Sequence, residues 1–155
     1  MLEHPSPSTI RDRFLHDHHE LEDLFDGLLD AFEANDREGI AELWTLFEER
    51  LNAHMDAEER LLLAPLARSC PREARALFHE HRHIRSRLAA LSCEVDLHTI
   101  RLASARAFVD ELRAHARRED EVLYDWADRH LGVAAKHSLL HTLSAPFQGH
   151  LRRTG

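Results

Sequence analysis

Apolar residues recur at every third or fourth position through four long stretches of this chain, and that period commits it to helices. No stretch alternates apolar and polar residues as a half-buried strand would, and there is no Asn-Gly turn to join two strands. The first stripe is Ile10, Phe14, Leu21, Phe25, Leu28 and Phe32, with Thr9 and Asp12 placed to cap its start and Asn35 near its stop. Asp36 can cap a second helix carrying Ile40, Leu43, Phe47, Leu51, Leu61 and Leu62, which Pro65 bends or ends. Pro71 suits the first position of a third helix, with Leu77, Ile84, Leu88, Leu91 and Val95 facing inward. Thr99 is the expected cap of a fourth helix, whose inner face is Leu102, Phe108, Leu112, Val122, Leu123 and Trp126 and whose end is expected at Gly132. A short fifth helix is expected from Val133 to Leu143.

Four long helices joined by short turns predict an all-α, up-down-up-down antiparallel four-helix bundle with a short C-terminal fifth helix. The chain reads as a single domain over 1–155, with its bundle core at about 9–131 and a short helix and tail over 133–155. A net charge of −8 argues against nucleic-acid binding. With 5 Gly in the chain there is no phosphate loop or dinucleotide fingerprint. The longest apolar runs, such as Leu61 to Leu63, are too short for a membrane span, and Met1 to Arg11 lack the apolar core of a signal peptide. Cys70 and Cys93 sit in no metal or redox spacing, so reduced thiols and a cytoplasmic location are expected. The oligomeric state is not written in the sequence. The 14 His are the number that asks for a reason, since histidine is the commonest metal ligand.

A helix advances about 100° per residue, so each histidine can be assigned to a face. His18 falls on the stripe of the first helix, His54 and Glu58 on that of the second, His81 on the third, and His115 and Glu119 on the fourth. Glu59 and Asp120 point away from their stripes, and the His79–His83 and His137–His141 pairs read as surface. Glu22, one turn after His18, is a solvated flank, a group supporting the ligands or one lining an access channel. His130 faces inward but lies too far from His115 to join it. Tyr124 and Trp44 are read as packing or surface residues, with Tyr124 directed away from the six.

Polar groups on a buried face are costly unless paired, and six of them are best explained by a shared, positively charged partner. The halves of the chain repeat the pattern. Asp17-His18 precedes His54-x-x-x-Glu58, and Glu80-His81 precedes His115-x-x-x-Glu119, with histidine separations of 36 and 34 residues. Each half is a helical hairpin offering two imidazoles and one carboxylate. Packed about a pseudo-two-fold axis, the two suit a pair of metal ions, iron ahead of manganese and zinc.

These motifs resemble the hemerythrin-like, or HHE cation-binding, domain. The matching runs are Asp17-His18-His19-Glu20-Leu21, His54 to Leu62, Glu80-His81-Arg82-His83-Ile84 and His115 to Tyr124, covering roughly residues 9 to 130. The resemblance implies a non-heme di-iron centre with oxo or hydroxo and carboxylate bridges. It puts His18 and His54 on one iron, His81 and His115 on the other, and Glu58 and Glu119 across both. Oxygen-carrying members have a histidine where this chain has Leu77, and an aspartate at the offset of Asp120 where Glu119 has the better facing. Both departures point to the four-histidine, two-glutamate variety. That variety includes iron–sulfur cluster repair proteins and bacterial proteins linked to peroxide or nitric oxide. The expected activity is binding or turnover of a small oxidant, with peroxide first and nitric oxide or dioxygen next; if the chain is an enzyme, it is catalase-like or performs another di-iron redox reaction. Non-catalytic sensing or binding, or iron storage and delivery, is the alternative.

Overall fold

The computed structural model describes residues 9–132 and 136–138. Helix α1 spans Ile10–Glu33, and the Thr9 side chain accepts from the Asp12 N–H at its start. It ends where Asn35 takes φ 52°, with the N–H groups of Asn35 and Asp36 donating to Phe32 and Ala31. A left-handed residue here satisfies carbonyls that the helix end leaves open. Asp36 then turns to cap α2, Arg37–Glu58, by accepting from the Gly39 N–H at 3.0 Å. The second rod continues through a π-helical segment, Glu59–Leu63, into α3, Ala64–Ser69. Pro65 does not end the rod, because it falls in the first turn of α3 just past the widened π turn.

Pro71 opens α4, Pro71–Asp96, as its position suggests. The fourth rod is α5, Leu102–Arg118, a second π segment, Glu119–Tyr124, and α6, Asp125–His130. Thr99 does not cap it. His98, at φ 56°, closes α4, and Thr99 belongs to that closure, its N–H donating to Glu94 at 2.8 Å. Arg101 precedes α5 and makes no side-chain cap. Gly132 does not close the fourth rod in a left-handed turn either, since no glycine among the described residues has positive φ; Leu131 leaves in extended conformation. The expected fifth helix lies mostly outside the described residues, of which 136–138 are helical.

α1 packs on α2 and α5, and α4 packs on the same two, so the four rods form an antiparallel ring. There is no strand among the described residues, and none of their helices is long and apolar enough to cross a membrane. The interior divides in two. One apolar cluster, with Phe25, Trp44, Phe47, Leu88 and Phe108, fills one end. The other, with Ile10, Phe14, Leu62, Leu63, Leu66 and Leu123, fills the opposite end. Cys70 and Cys93 are free thiols.

The π segments account for the main errors of the helical phasing. Each starts directly after or at a glutamate of the cluster and admits one extra residue, which turns everything beyond it by about 100°. Val122, expected inside, is therefore 37% exposed, while Tyr124, expected to point away, is fully buried. His130 is likewise exposed and stacks on Trp126. Trp44 is buried and donates its indole N–H to the Ser92 hydroxyl at 2.8 Å.

Candidate metal centre

The layer between the two apolar clusters is polar, and its members are the six residues singled out by the helical phasing. His54, Glu58, His81, His115 and Glu119 are buried, and His18 is half-buried. The imidazoles converge through Nε2. His54 Nε2 lies 3.0 Å from both His18 Nε2 and Glu58 Oε1. Glu58 faces two ways, its Oε2 lying 3.3 Å from His81 Nε2. Glu119 Oε1 is 2.8 Å from His115 Nε2. Two sets of donor atoms result, His18–His54–Glu58–Glu119 and Glu58–His81–His115–Glu119, each with all atoms within 4.8 Å of one another. Both carboxylates belong to both sets. Asp120 is instead paired with Arg11 at 2.9 Å, and Leu77 lies in the apolar core. His79 and His83 are exposed, as is His137, while His141 lies outside the described residues.

The donor set fits a cation. Glu58 Oε2, His81 Nε2 and His115 Nε2 are buried and, although close to neighbouring atoms of the cluster, make no hydrogen bond of good geometry. Buried polar atoms are rarely left so, because each forfeits its hydration. Three of the imidazoles are held from behind by carboxylates: His54 Nδ1 by Asp17 at 3.4 Å, His81 Nδ1 by Glu59 at 2.9 Å, and His115 Nδ1 by Glu80 at 2.5 Å. A carboxylate on Nδ1–H fixes the ring and leaves the Nε2 lone pair facing the cluster. Each carboxylate sits next in sequence to a residue of the cluster and reaches across to a neighbouring rod. Helical phasing sent Glu59 to the flank, which is correct for its backbone, but its side chain returns to His81. Arg85 grips Glu59 and Arg118 grips Glu80 from the solvent side. Glu80→Gln, which keeps the shape but weakens this support, is expected to lower metal affinity about 10- to 100-fold in a chelator competition.

The same crowding sets the protonation of the metal-free cluster. Burial and the nearby His54 lower His18 to a pKa of about 4. Burial opposes a charge on His54, but Glu58 and Asp17 outweigh it and raise the group well above its ordinary range. Burial likewise opposes ionisation of Glu58, but His54 and hydrogen bonds from the surrounding groups pull it well below the carboxylate range. Burial and the charge of Glu58 push Glu119 well above that range. His54 and Glu119, both raised, thus hold protons that a cation must displace. Metal affinity is expected to rise with pH up to their raised pKa values, with net proton release on loading near neutrality. A weakly buffered titration with a pH indicator checks this, and loading without proton release would contradict it.

A cavity of about 70 Å³ adjoins the cluster, touching His18, His54, His115 and Glu119. Glu22 and Arg113 also line it, joined by two bonds of 2.7 and 2.8 Å. Glu22 is thus both a lining residue and a paired one. Every other lining side chain is apolar, among them Leu21, Phe25, Phe47, Leu51 and Leu112.

Tyr124 is the residue that the phasing missed. Its hydroxyl is hydrogen-bonded to Glu58, and it lies 3.1 Å from His18 Nε2 and 3.2 Å from Glu119 Oε2. Burial and the two carboxylates push the phenol well above its ordinary pKa. A signal was present, since this is the chain's only tyrosine and it follows Glu119 by five residues.

No curated protein and no solved structure matches the chain. The model of one family, the hemerythrin HHE cation binding domain, matches residues 9–127, from the start of the first rod to near the end of the fourth, with every residue of the cluster inside it. With a bundle of this topology and a histidine–glutamate cluster at its middle, the chain belongs to the hemerythrin HHE cation-binding family.

Proposed function

We propose that His18, His54, Glu58, His81, His115 and Glu119 hold two iron ions, with both glutamates spanning the pair, and that the protein binds or turns over a small oxidant, peroxide first. The observation that carries this reading is the overlap of the two donor sets. Two carboxylates common to two clusters of histidine suit a pair of cations better than one. Four nitrogens and two carboxylates, with no thiolate, suit iron ahead of manganese or zinc. When bound there, iron supplies redox chemistry and an open coordination position for the oxidant.

The chain's own residues do the rest. Asp17, Glu59 and Glu80 keep three imidazoles oriented, so the donors need little rearrangement on loading. The apolar lining of the cavity admits small uncharged molecules and disfavours ions, which would lose their hydration there. Metal analysis of freshly purified protein should find about two irons per chain; well under one, with no other tightly held metal, would sink the proposal. Adding peroxide to the iron-loaded protein should evolve oxygen, and Glu119→Ala should abolish it.

A second reading, reversible binding or sensing of nitric oxide or dioxygen without turnover, draws on that same lining. Apart from Glu22, which Arg113 holds as an ion pair, no lining residue outside the cluster can relay a proton. Under that reading peroxide gives no oxygen, and the loaded protein shows a ligand spectrum that reverses when the gas is withdrawn.

A further inference from the structure

We propose that the phenol oxygen of Tyr124 is a fifth protein ligand at the position formed by His18, His54, Glu58 and Glu119, so that the two cation positions are unequal. The inference rests on the two-cation reading above. The first support is convergence. The Tyr124 oxygen lies within hydrogen-bonding distance of one atom each of His18, Glu58 and Glu119, three of the four residues that make up this donor set. A cation at that position would face the phenol oxygen together with them.

The second support is spacing. Neighbouring donors around an octahedral cation with bonds of about 2.1 Å lie about 3.0 Å apart. His18–His54 and His54–Glu58 stand at 3.0 Å, Tyr124–His18 at 3.1 Å and Tyr124–Glu119 at 3.2 Å. The phenol oxygen therefore occupies a place that a coordinating atom would take.

The third is the seating of the ring. Tyr124 stacks on Phe14 with centroids 5.1 Å apart and planes 10° from parallel, at the last position of the second π segment. In the other half of the repeat the same offset from Glu58 is Leu63, at the last position of the first π segment, which is buried and offers no donor. The pseudo-two-fold symmetry of the ligands is broken at this point. It is broken again at His18: by position Asp120 would support that ring, as Asp17, Glu59 and Glu80 support the others, but Asp120 is engaged by Arg11. One position thus gathers five protein donors and the other four, which leaves the more open coordination to the His81–His115 side. On ligation the phenol O–H proton passes to solvent and the oxygen keeps the electron pair that binds the cation.

The test loads the protein with ferrous iron, oxidises it in air, counts iron, and records visible absorption and resonance Raman spectra. The expected result is a visible band whose excitation enhances tyrosinate ring vibrations, with both lost in Tyr124→Phe. Since the chain has one tyrosine, no other residue can supply that signal, and the wild-type spectrum decides even if the variant folds poorly. Wild-type protein that holds two irons and shows no tyrosinate vibrations overturns the inference and leaves the two-cation reading intact. Wild-type protein that takes up no iron overturns both.

Discussion

Glu58→Gln should take the bound metal from about two ions per chain to about one or fewer. Glu58 presents Oε1 to the His18–His54 set and Oε2 to His81. Glutamine keeps the shape and one oxygen, but its NH₂ group carries no lone pair for the second cation. Chelator competition and metal counting read the loss directly. The metal-free fold is not expected to collapse, because an amide can still hydrogen-bond to His54. The helical circular dichroism of the variant should therefore match that of wild type. A variant that retains two tightly held ions would show that Glu58 does not join the two positions. Glu119→Gln is the matching experiment on the fourth rod.

Phe14→Ala should cost about 3–5 kcal/mol of folding stability, among the largest losses available to one substitution here. Phe14 is fully buried, stacks on Tyr124 and meets the His54 ring edge-on with centroids 5.5 Å apart. For a chain of this size the loss corresponds to a fall in Tm of about 10 °C. The cavity also removes the wall that holds Tyr124 and His54 in place, so metal affinity should fall with stability. Phe108→Ala separates the two effects. It empties a fully buried aromatic site in the opposite apolar cluster, against Trp44 and Phe47, and should cost similar stability while leaving metal affinity close to wild type. Equal affinity losses in the two variants would mean that Phe14 acts only through global stability.

The bundle and the six cluster residues were legible because a single period governs each rod as far as its glutamate. His18, His54, Glu58, His81 and His115 lie in regular α-helix, where 100° per residue holds, and Glu119 opens the second π segment, before the slip has accumulated. Beyond Glu58 and Glu119 the period slips, and no propensity rule announces a π turn in Glu59–Leu63 or Glu119–Tyr124. That is why Val122 was placed inside and Tyr124 outside. The supporting carboxylates were hidden for another reason. Asp17, Glu59 and Glu80 act on histidines of neighbouring rods, and the reach of a side chain between helices is fixed by rotamer and crossing geometry, which a one-dimensional pattern does not carry. Thr99 failed as a cap because His98, a non-glycine residue, takes the left-handed turn that ends α4 and draws the threonine into the preceding helix.

The polar layer between the two apolar clusters also bears on how the molecule comes apart. Without a cation, buried carboxyl groups and imidazoles occupy the waist of the bundle, and the hydrophobic grip is interrupted there. Each end has its own apolar interior, so the metal-free chain is expected to open at one end without the other, with a weak seam in its folding cooperativity at the waist. A cation held by residues from all four rods would close that seam and merge two folding units into one, a change that amide hydrogen exchange on either side of the waist would read directly.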